Sequence, residues 1–250
     1  MKDEEFDRMF RDEQIHWWYR ARRRITDFFL KKHLREKNDA VILDVASACG
    51  ANFFNFKKYG KVIGIDISDT SISYCKSRGI ADIHKGDAQN LPFESNFFDA
   101  VLALDALEHF ENDSRAVSEM FRVLKPGGLL LVNTPAFMSL WSQHDTSFHH
   151  VRRYRTGQLS DLLRTNEFSL RFISYWSFFL FLPVFALRRL RDLLSGAVKV
   201  TKEPASDFGM QLSPWITFIL NVQACMEFIL LRAGVRFPYG VSVFAVAVKP

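Results

Sequence analysis

Two carboxylates set 22 residues apart carry the first chemistry this chain can do. Asp44 lies near the end of an apolar run at 41–45 that leads into Ala46-Ser47-Ala48-Cys49-Gly50-Ala51-Asn52, and Asp66 closes the next run, Ile63-Gly64-Ile65-Asp66. A turn of small residues between a strand and a helix lets a ligand approach the backbone, and the helix start offers N–H groups without partners. An acidic residue at the tip of the second strand can accept two hydrogen bonds from ribose hydroxyls. A second constellation lies further on, in Glu108-His109, Trp141, His144-Asp145 and His149-His150-Val151-Arg152-Arg153-Tyr154. Imidazoles can serve as general bases, and guanidinium forks can hold phosphates. His109, His144, His149 and His150 are therefore the candidate bases. Trp141, Asp145, Arg152, Arg153 and Tyr154 are the candidate substrate contacts. No CxxC or HExxH spacing occurs, and no metal site is expected.

The elements that must position these groups follow from periodicity. Short β-branched runs at 41–45, 62–67, 101–104 and 129–133 alternate with helical stretches, which implies βαβ units and a parallel sheet. Leu124-Lys125-Pro126-Gly127-Gly128 predicts a helix stop and a tight turn before the fifth strand. A helix at 156–166 and strands at 168–175 and 241–248 complete the pattern. The predicted organisation is an N-terminal helical lid at 1–39, a core at 40–176, a hydrophobic helical insertion at 177–238 and a final core strand at 239–250.

Within the insertion, residues 172–187 hold no charge, and Arg188, Arg189 and Arg191 follow. Pro183 interrupts that run, and part of it belongs to the preceding strand. The stretch 208–226 is also uncharged but contains Gly209, Gln211, Pro214, Asn221 and Gln223. Trp215, Ile219, Val222, Met226 and Ile229 recur at helical spacing, opposite Asn221 and Glu227. This predicts an amphipathic helix rather than a span, suited to docking on the domain, to a homodimer surface or to a membrane interface.

Composition bounds the rest. The 250 residues are 48% hydrophobic and 24% charged, which excludes a disordered chain. Three cysteines cannot form a disulfide framework, so a reducing compartment is expected, and the charged stretch at 1–11 does not read as a signal peptide. The net charge of +5 is matched by the excess between 142 and 200, where nine Lys/Arg face four Asp/Glu amid dense aromatics. That pairing suits a membrane surface or a single-stranded nucleic acid.

Taken as a set, the motifs at 41–45, 64–66, 86–88, 91–93, 98–101, 107–110 and 123–128 resemble the class I S-adenosylmethionine-dependent methyltransferases, in particular the type 11 group. The resemblance covers about 40–175 and the last strand. It implies an α/β fold with a seven-stranded Rossmann-like sheet of order 3-2-1-4-5-7-6, the final strand antiparallel. It implies S-adenosylmethionine as cofactor, with Asp44, Ala46, Ala48 and Gly50 at its methionine moiety. By the same resemblance Asp66 takes the ribose, with Ile67 beside it as a further cofactor contact, Asp87 and Ala88 take the adenine, and Asp105 lies beside the methionine end. The leading helix with Trp18, Tyr19 and Arg22 resembles one that covers the cofactor mouth in enzymes of surface polysaccharide and lipid-linked sugar pathways, and the His-x-Arg-Arg-Tyr run resembles a run found in the same subgroup. The expected function is methyl transfer to a small or lipid-linked acceptor, glycan-related in one reading, by a cytoplasmic protein peripheral to the inner membrane face.

The first turn departs from the family pattern, because alanines stand at 46 and 48 where glycines are usual. Both are expected at negative φ, their methyls merely narrowing the pocket. A positive φ at either would favour a binding module without catalysis. An RNA methyltransferase is the further alternative. The motif of exocyclic-amine enzymes after strand four is absent, as is the Pro-Cys pair of cytosine C5 enzymes, so nucleic acid is not favoured.

Overall fold

The computed structural model describes residues 3–35, 37, 39–195 and 213–250. Two helices lead, α1 (Asp3–Asp12) and α2 (Trp17–His33). The sheet alternation follows with β1 (Ala40–Val45), α3 (Ala51–Phe56), β2 (Gly60–Asp66), α4 (Asp69–Ser77) and β3 (Ile83–Lys85). Next come β4 (Phe98–Leu104), α5 (Asp113–Val123) and β5 (Leu124–Pro135). The last part holds α6 (Gln143–Ser147), α7 (Thr156–Thr165), β6 (Ser169–Trp176), α8 (Phe178–Ser195), α9 (Pro214–Arg232) and β7 (Ser242–Val248).

The seven strands form one sheet in the order β3-β2-β1-β4-β5-β7-β6, with β7 antiparallel to both neighbours. Every residue of β4 is buried, as expected for a central strand covered on both faces. Side-chain caps set the helix starts: Ser68 accepts from Ser71 N, Asn112 from Arg115 N and Ser213 from Ile216 N. Strand order reverses between β1 and β4. In an open α/β sheet, a ligand crevice belongs at that switch point, beyond the carboxyl ends of the strands.

β5 begins at Leu124, five residues earlier than the turn signal suggests. The Gly127 N–H donates to Lys249 O, and Lys249 N–H donates to Gly128 O, so the glycines continue the pairing of β5 with the end of the chain beyond β7. α8 runs through Pro183 without a break. Its first N–H groups are capped from a distance, because the buried Glu227 of α9 accepts from Ser177 N at 2.7 Å and Phe179 N at 3.1 Å. α9 docks on α2 through Arg24–Cys225 and Phe28–Phe228 contacts. Its opposite stripe, Trp215, Ile219, Val222, Met226 and Ile229, faces outward and is exposed. By length and composition α9 is apolar enough to cross a membrane. Residues 196–212 of the insertion, among them Phe208, Gly209 and Gln211, lie outside the described residues, as does the side chain of Arg191.

Candidate active site

The crossover from β1 corrects one expectation. Ala46 and Ala48 sit at φ 55° and 49°, and Gly50 at 80°. Each alanine carries a left-handed penalty of roughly 1–2 kcal/mol. Local hydrogen bonds hold the turn in spite of it. Ser47 N donates to Ile65 O, Ala48 N to an Asp66 oxygen at 3.0 Å, and Ser71 Oγ to Ala48 O at 2.6 Å. The hollow beside the turn stays open. A cavity of about 630 Å³ runs along the carboxyl ends of the strands, within the size range of small-molecule sites.

At one end of the cavity stand Ala46, Ala48, Asp66, Ile67, Gly86, Asp87 and Ala88. The Asp66 carboxylate is fixed by accepting from Ala48 N and Ser68 N, one bond per oxygen, which leaves each oxygen a free lone pair. Asp87 is oriented in the same manner by Gln89 N at 2.8 Å. Two expected contacts are absent from this wall. Asp44 lies beneath the turn, 1% exposed, where Asn52 Nδ2 donates to its Oδ1 and Oδ2. Burial pushes its carboxyl up to about 7, against the pull of the Asn52 bond. Gly50 packs inward, and a Cβ there would stand 2.5 Å from Ile80 Cδ1. Its role is to let the turn close, not to meet a ligand.

The middle is roofed by α1 and α2. Trp18, Tyr19 and Arg22 all line the cavity. Arg22 is buried, donates to Leu104 O and forms an ion pair with Asp105. Asp105, itself at φ 59°, also accepts from Asn133 Nδ2, and Asn133 Oδ1 accepts from Trp176 Nε1 at 2.7 Å. Trp176 in turn stacks on Trp18 with ring centroids 4.4 Å apart. Sequence reasoning missed Asn133 and Trp176, which come from strands far along the chain. It also missed Glu13, a buried lining residue paired with Arg78, whose carboxyl burial pushes up to about 7 despite that arginine.

At the other end, His109, His144, His149 and His150 converge on the cavity, with Glu108, Phe148, Arg153 and Arg188. Burial, with the charges of His150 and His149, lowers His109 to about 3, so its imidazole is neutral. Glu108 is 1% exposed. Its Oε2 accepts from Thr134 Oγ1, while its buried Oε1 has no partner. Burial and the Asp105 charge hold this carboxyl well above the usual range.

The aromatic and cationic run is largely spent on structure, which corrects its reading as a substrate contact. Trp141, Asp145, Arg152 and Tyr154 do not line the cavity. Asp145 is fully buried and receives the Arg153 fork at 2.7 and 2.9 Å. Burial alone would raise Asp145, but hydrogen bonds from His150 and Arg153 hold it below the usual carboxylate range. Arg152 pairs with Asp113 at 2.6 Å, and Tyr154 Oη donates to the same carboxylate at 2.7 Å. Of the five expected substrate contacts only Arg153 reaches the cavity, with its guanidinium engaged by Asp145 and Ala136 O.

Residues 43–132 match the family model described as a methyltransferase domain. A protein of Mycolicibacterium smegmatis named "Probable S-adenosylmethionine-dependent methyltransferase" is 33% identical over 113 residues, 44% of each chain. A phthiotriol/phenolphthiotriol dimycocerosates methyltransferase of Mycobacterium ulcerans is 43% identical over 72 residues, 27% of this chain and 26% of that one. The chain thus spans less than half the length of these curated relatives. Among solved structures, the cyclase SpnF superposes with a TM-score of 0.58 at 22% identity, covering 91% of this chain and 80% of that one, a likeness of fold alone. Over residues 43–132 the chain is thus similar to the S-adenosylmethionine-dependent methyltransferases, and its sheet order is consistent with that likeness. S-adenosylmethionine is the cofactor of this class, and the residues present suit it. Asp66 offers free acceptor positions, and the buried Arg22 Nε and Asn52 Oδ1, on residues that line the cavity, have no partner of their own.

Proposed function

We propose that the whole chain transfers a methyl group to a small or lipid-linked acceptor at the cytoplasmic face of a membrane, with a glycan-related acceptor as the narrower reading. The observation that carries this is one continuous cavity with Asp66 and Asp87 at one end and four histidines at the other. When bound, S-adenosylmethionine supplies an electrophilic methyl on a sulfonium. The chain's own groups do the remaining work. Asp66 accepts hydrogen bonds from the ribose hydroxyls, and Asp87 and Ala88 border the adenine. Arg22 and Asn52 offer a donor and an acceptor to the carboxylate and ammonium of the methionine end. Trp18 and Tyr19 cover the site and exclude water, and a tryptophan face suits a nearby cation. A histidine at the far end takes the proton that an oxygen or nitrogen acceptor must lose; His144 and His149 line the cavity there, whereas His109, lowered to about 3 by burial, is too weak a base for the role.

The lipid-linked part rests on α8 and α9. Leu180, Val184, Leu187 and Leu220 wall the cavity, while Phe179, Leu182, Leu190, Trp215, Phe218, Ile219 and Ile229 are exposed. One pair of helices thus joins the acceptor end to an outward apolar face. The mycobacterial relative named for a dimycocerosate acts on a lipid by its name and supports the same class. The left-handed alanines favour a non-catalytic module, but the open cavity and the aimed Asp66 weigh against it.

Incubation with methyl-labelled S-adenosylmethionine and separate lipid, sugar and RNA extracts tests the proposal. Label is expected in the lipid-linked fraction. Label in RNA would replace the acceptor reading, and absence of S-adenosylhomocysteine binding by calorimetry would leave the non-catalytic module.

A further inference from the structure

The acceptor end of the cavity holds a group of donors that proton transfer alone does not explain. Glu108, His109 and His150 each place one donor atom within 4.8 Å of the others. Two imidazoles and one carboxylate form a donor set suited to first-row divalent cations, and three protein ligands leave coordination positions open. The carboxylate is buried, with Oε1 lacking any partner, in a residue that faces the cavity. An unsatisfied carboxylate oxygen at that depth is costly unless something positive meets it.

The surroundings supply a second, independent sign. His150 Nδ1 is bonded to Asp145 Oδ1 at 2.9 Å, and Asp145 is itself clamped by the Arg153 fork. A carboxylate bonded to Nδ1 holds the ring and leaves Nε2 available to a cation, which is how metal-binding histidines are oriented. His109 and His150 meet edge to face with ring centroids 4.8 Å apart.

We propose that Glu108, His109 and His150 bind one divalent cation of the zinc, manganese or iron class, with open positions directed at an oxygen ligand in the cavity. Asp145 is its positioning residue. Donors held tetrahedrally at about 2.1 Å lie about 3.4 Å apart. Binding therefore draws these three inward by up to about 1.4 Å, within reach of the soft terminal torsions of Glu and His. The cation site stands by itself. Only the further role, holding an acceptor oxygen and favouring its deprotonated form, rests on the methyl-transfer reading. Sequence spacing did not signal the site, because His150 lies 41 residues beyond His109.

The test is titration of the metal-free, untagged protein with Co²⁺, followed by ligand-field absorption in the visible and by displacement with Zn²⁺. Saturation at one Co²⁺ per chain is expected. Glu108→Gln and His150→Ala should each weaken binding by at least about tenfold. Circular dichroism checks that each variant is folded, so either one suffices if the other is not. No saturable band in the wild type, or wild-type affinity in a folded variant, would overturn the site. S-adenosylhomocysteine binding, measured in parallel, reports on the methyltransferase reading separately.

Discussion

The two ends of the cavity hold their side chains by different means. At the β1–β3 end, each functional carboxylate is locked by nearby backbone: Asp66 by Ala48 and Ser68, Asp87 by Gln89. At the far end, the groups come from a loop after β4, from α6 and the loop after it, and from the helices α8 and α9, and Glu108 keeps a bare oxygen. The first end is shaped for one ligand before that ligand arrives. The second combines imidazoles, a buried acid and an apolar wall, so its chemistry is set by what enters it. On the proposed reading, the first end takes the nucleoside and the second the acceptor, and a preformed end beside an adaptable one is how one fold comes to serve different acceptors.

The sharpest way to break this comparison is Asp66→Ala. Two hydrogen bonds to an ionised carboxylate contribute about 1.5 kcal/mol each, so calorimetry should show S-adenosylmethionine binding weakened about 100-fold. Vesicle binding should be unchanged. A loss below about threefold would mean that the ribose is held elsewhere.

A smaller effect is expected at the other end. Trp215, Ile219 and Ile229 are 78%, 62% and 63% exposed, so replacing all three with Gln should change folding stability by less than about 0.5 kcal/mol per site. Co-sedimentation with anionic vesicles should fall at least about tenfold, because each apolar side chain buried in a membrane interface contributes on the order of 1.5 kcal/mol or more. Salt should weaken what binding remains. If the wild type ignores vesicles and is a solution dimer that the triple variant dissolves, the stripe belongs to a dimer interface instead.

The same contrast explains what could be read from the sequence. The strands and crossover turns were legible, because they rest on short β-branched runs and small-residue turns that are local in sequence; strand order and the antiparallel last strand came from the family resemblance. Asp66, Ala88 and Asp105, expected from their motifs and the family resemblance, do line the cavity. Arg152 and Tyr154 were misread because nothing in the sequence shows that both converge on Asp113 some forty residues earlier. Asn133, Trp176 and Glu13 carried no signal, since each acts by a tertiary contact with an ordinary-looking strand or helix residue. The alanine conformation was misjudged for a different reason. A propensity of 1–2 kcal/mol is a small sum beside several hydrogen bonds.

Asp44, beneath the nucleoside end, links that architecture to pH. Its carboxyl is pushed up to about 7 by burial, from an unfolded value of about 3.9. An acid raised in the folded state contributes stability that is full below pH ~4 and is lost as pH rises through the folded value. Thermal midpoints of the wild type should therefore fall between pH 5 and pH 8 by way of this group. Asp44→Asn keeps the shape and removes the titration, so its midpoint should fall less over that range. Glu13, also near 7, keeps part of the slope in both proteins. An identical slope in the variant would remove Asp44 from the account.

The smallest effect is expected at the turn itself, and it decides how rigid the nucleoside end is. Ala46→Gly with Ala48→Gly relieves a left-handed penalty of roughly 1–2 kcal/mol per site. Each glycine also adds unfolded-state freedom that costs about 0.4–1 kcal/mol. The net is a gain between about zero and 1.5 kcal/mol per site, readable as a raised denaturation midpoint. The hydrogen bonds of Ser47, Ala48 and Ser71 are backbone-directed and survive the change. Cofactor affinity should then stay within about twofold, because the turn keeps its path and loses only two methyls. A loss of stability would mean that those methyls are packed more tightly than the open cavity suggests. A large gain in affinity would mean that they crowd the cofactor.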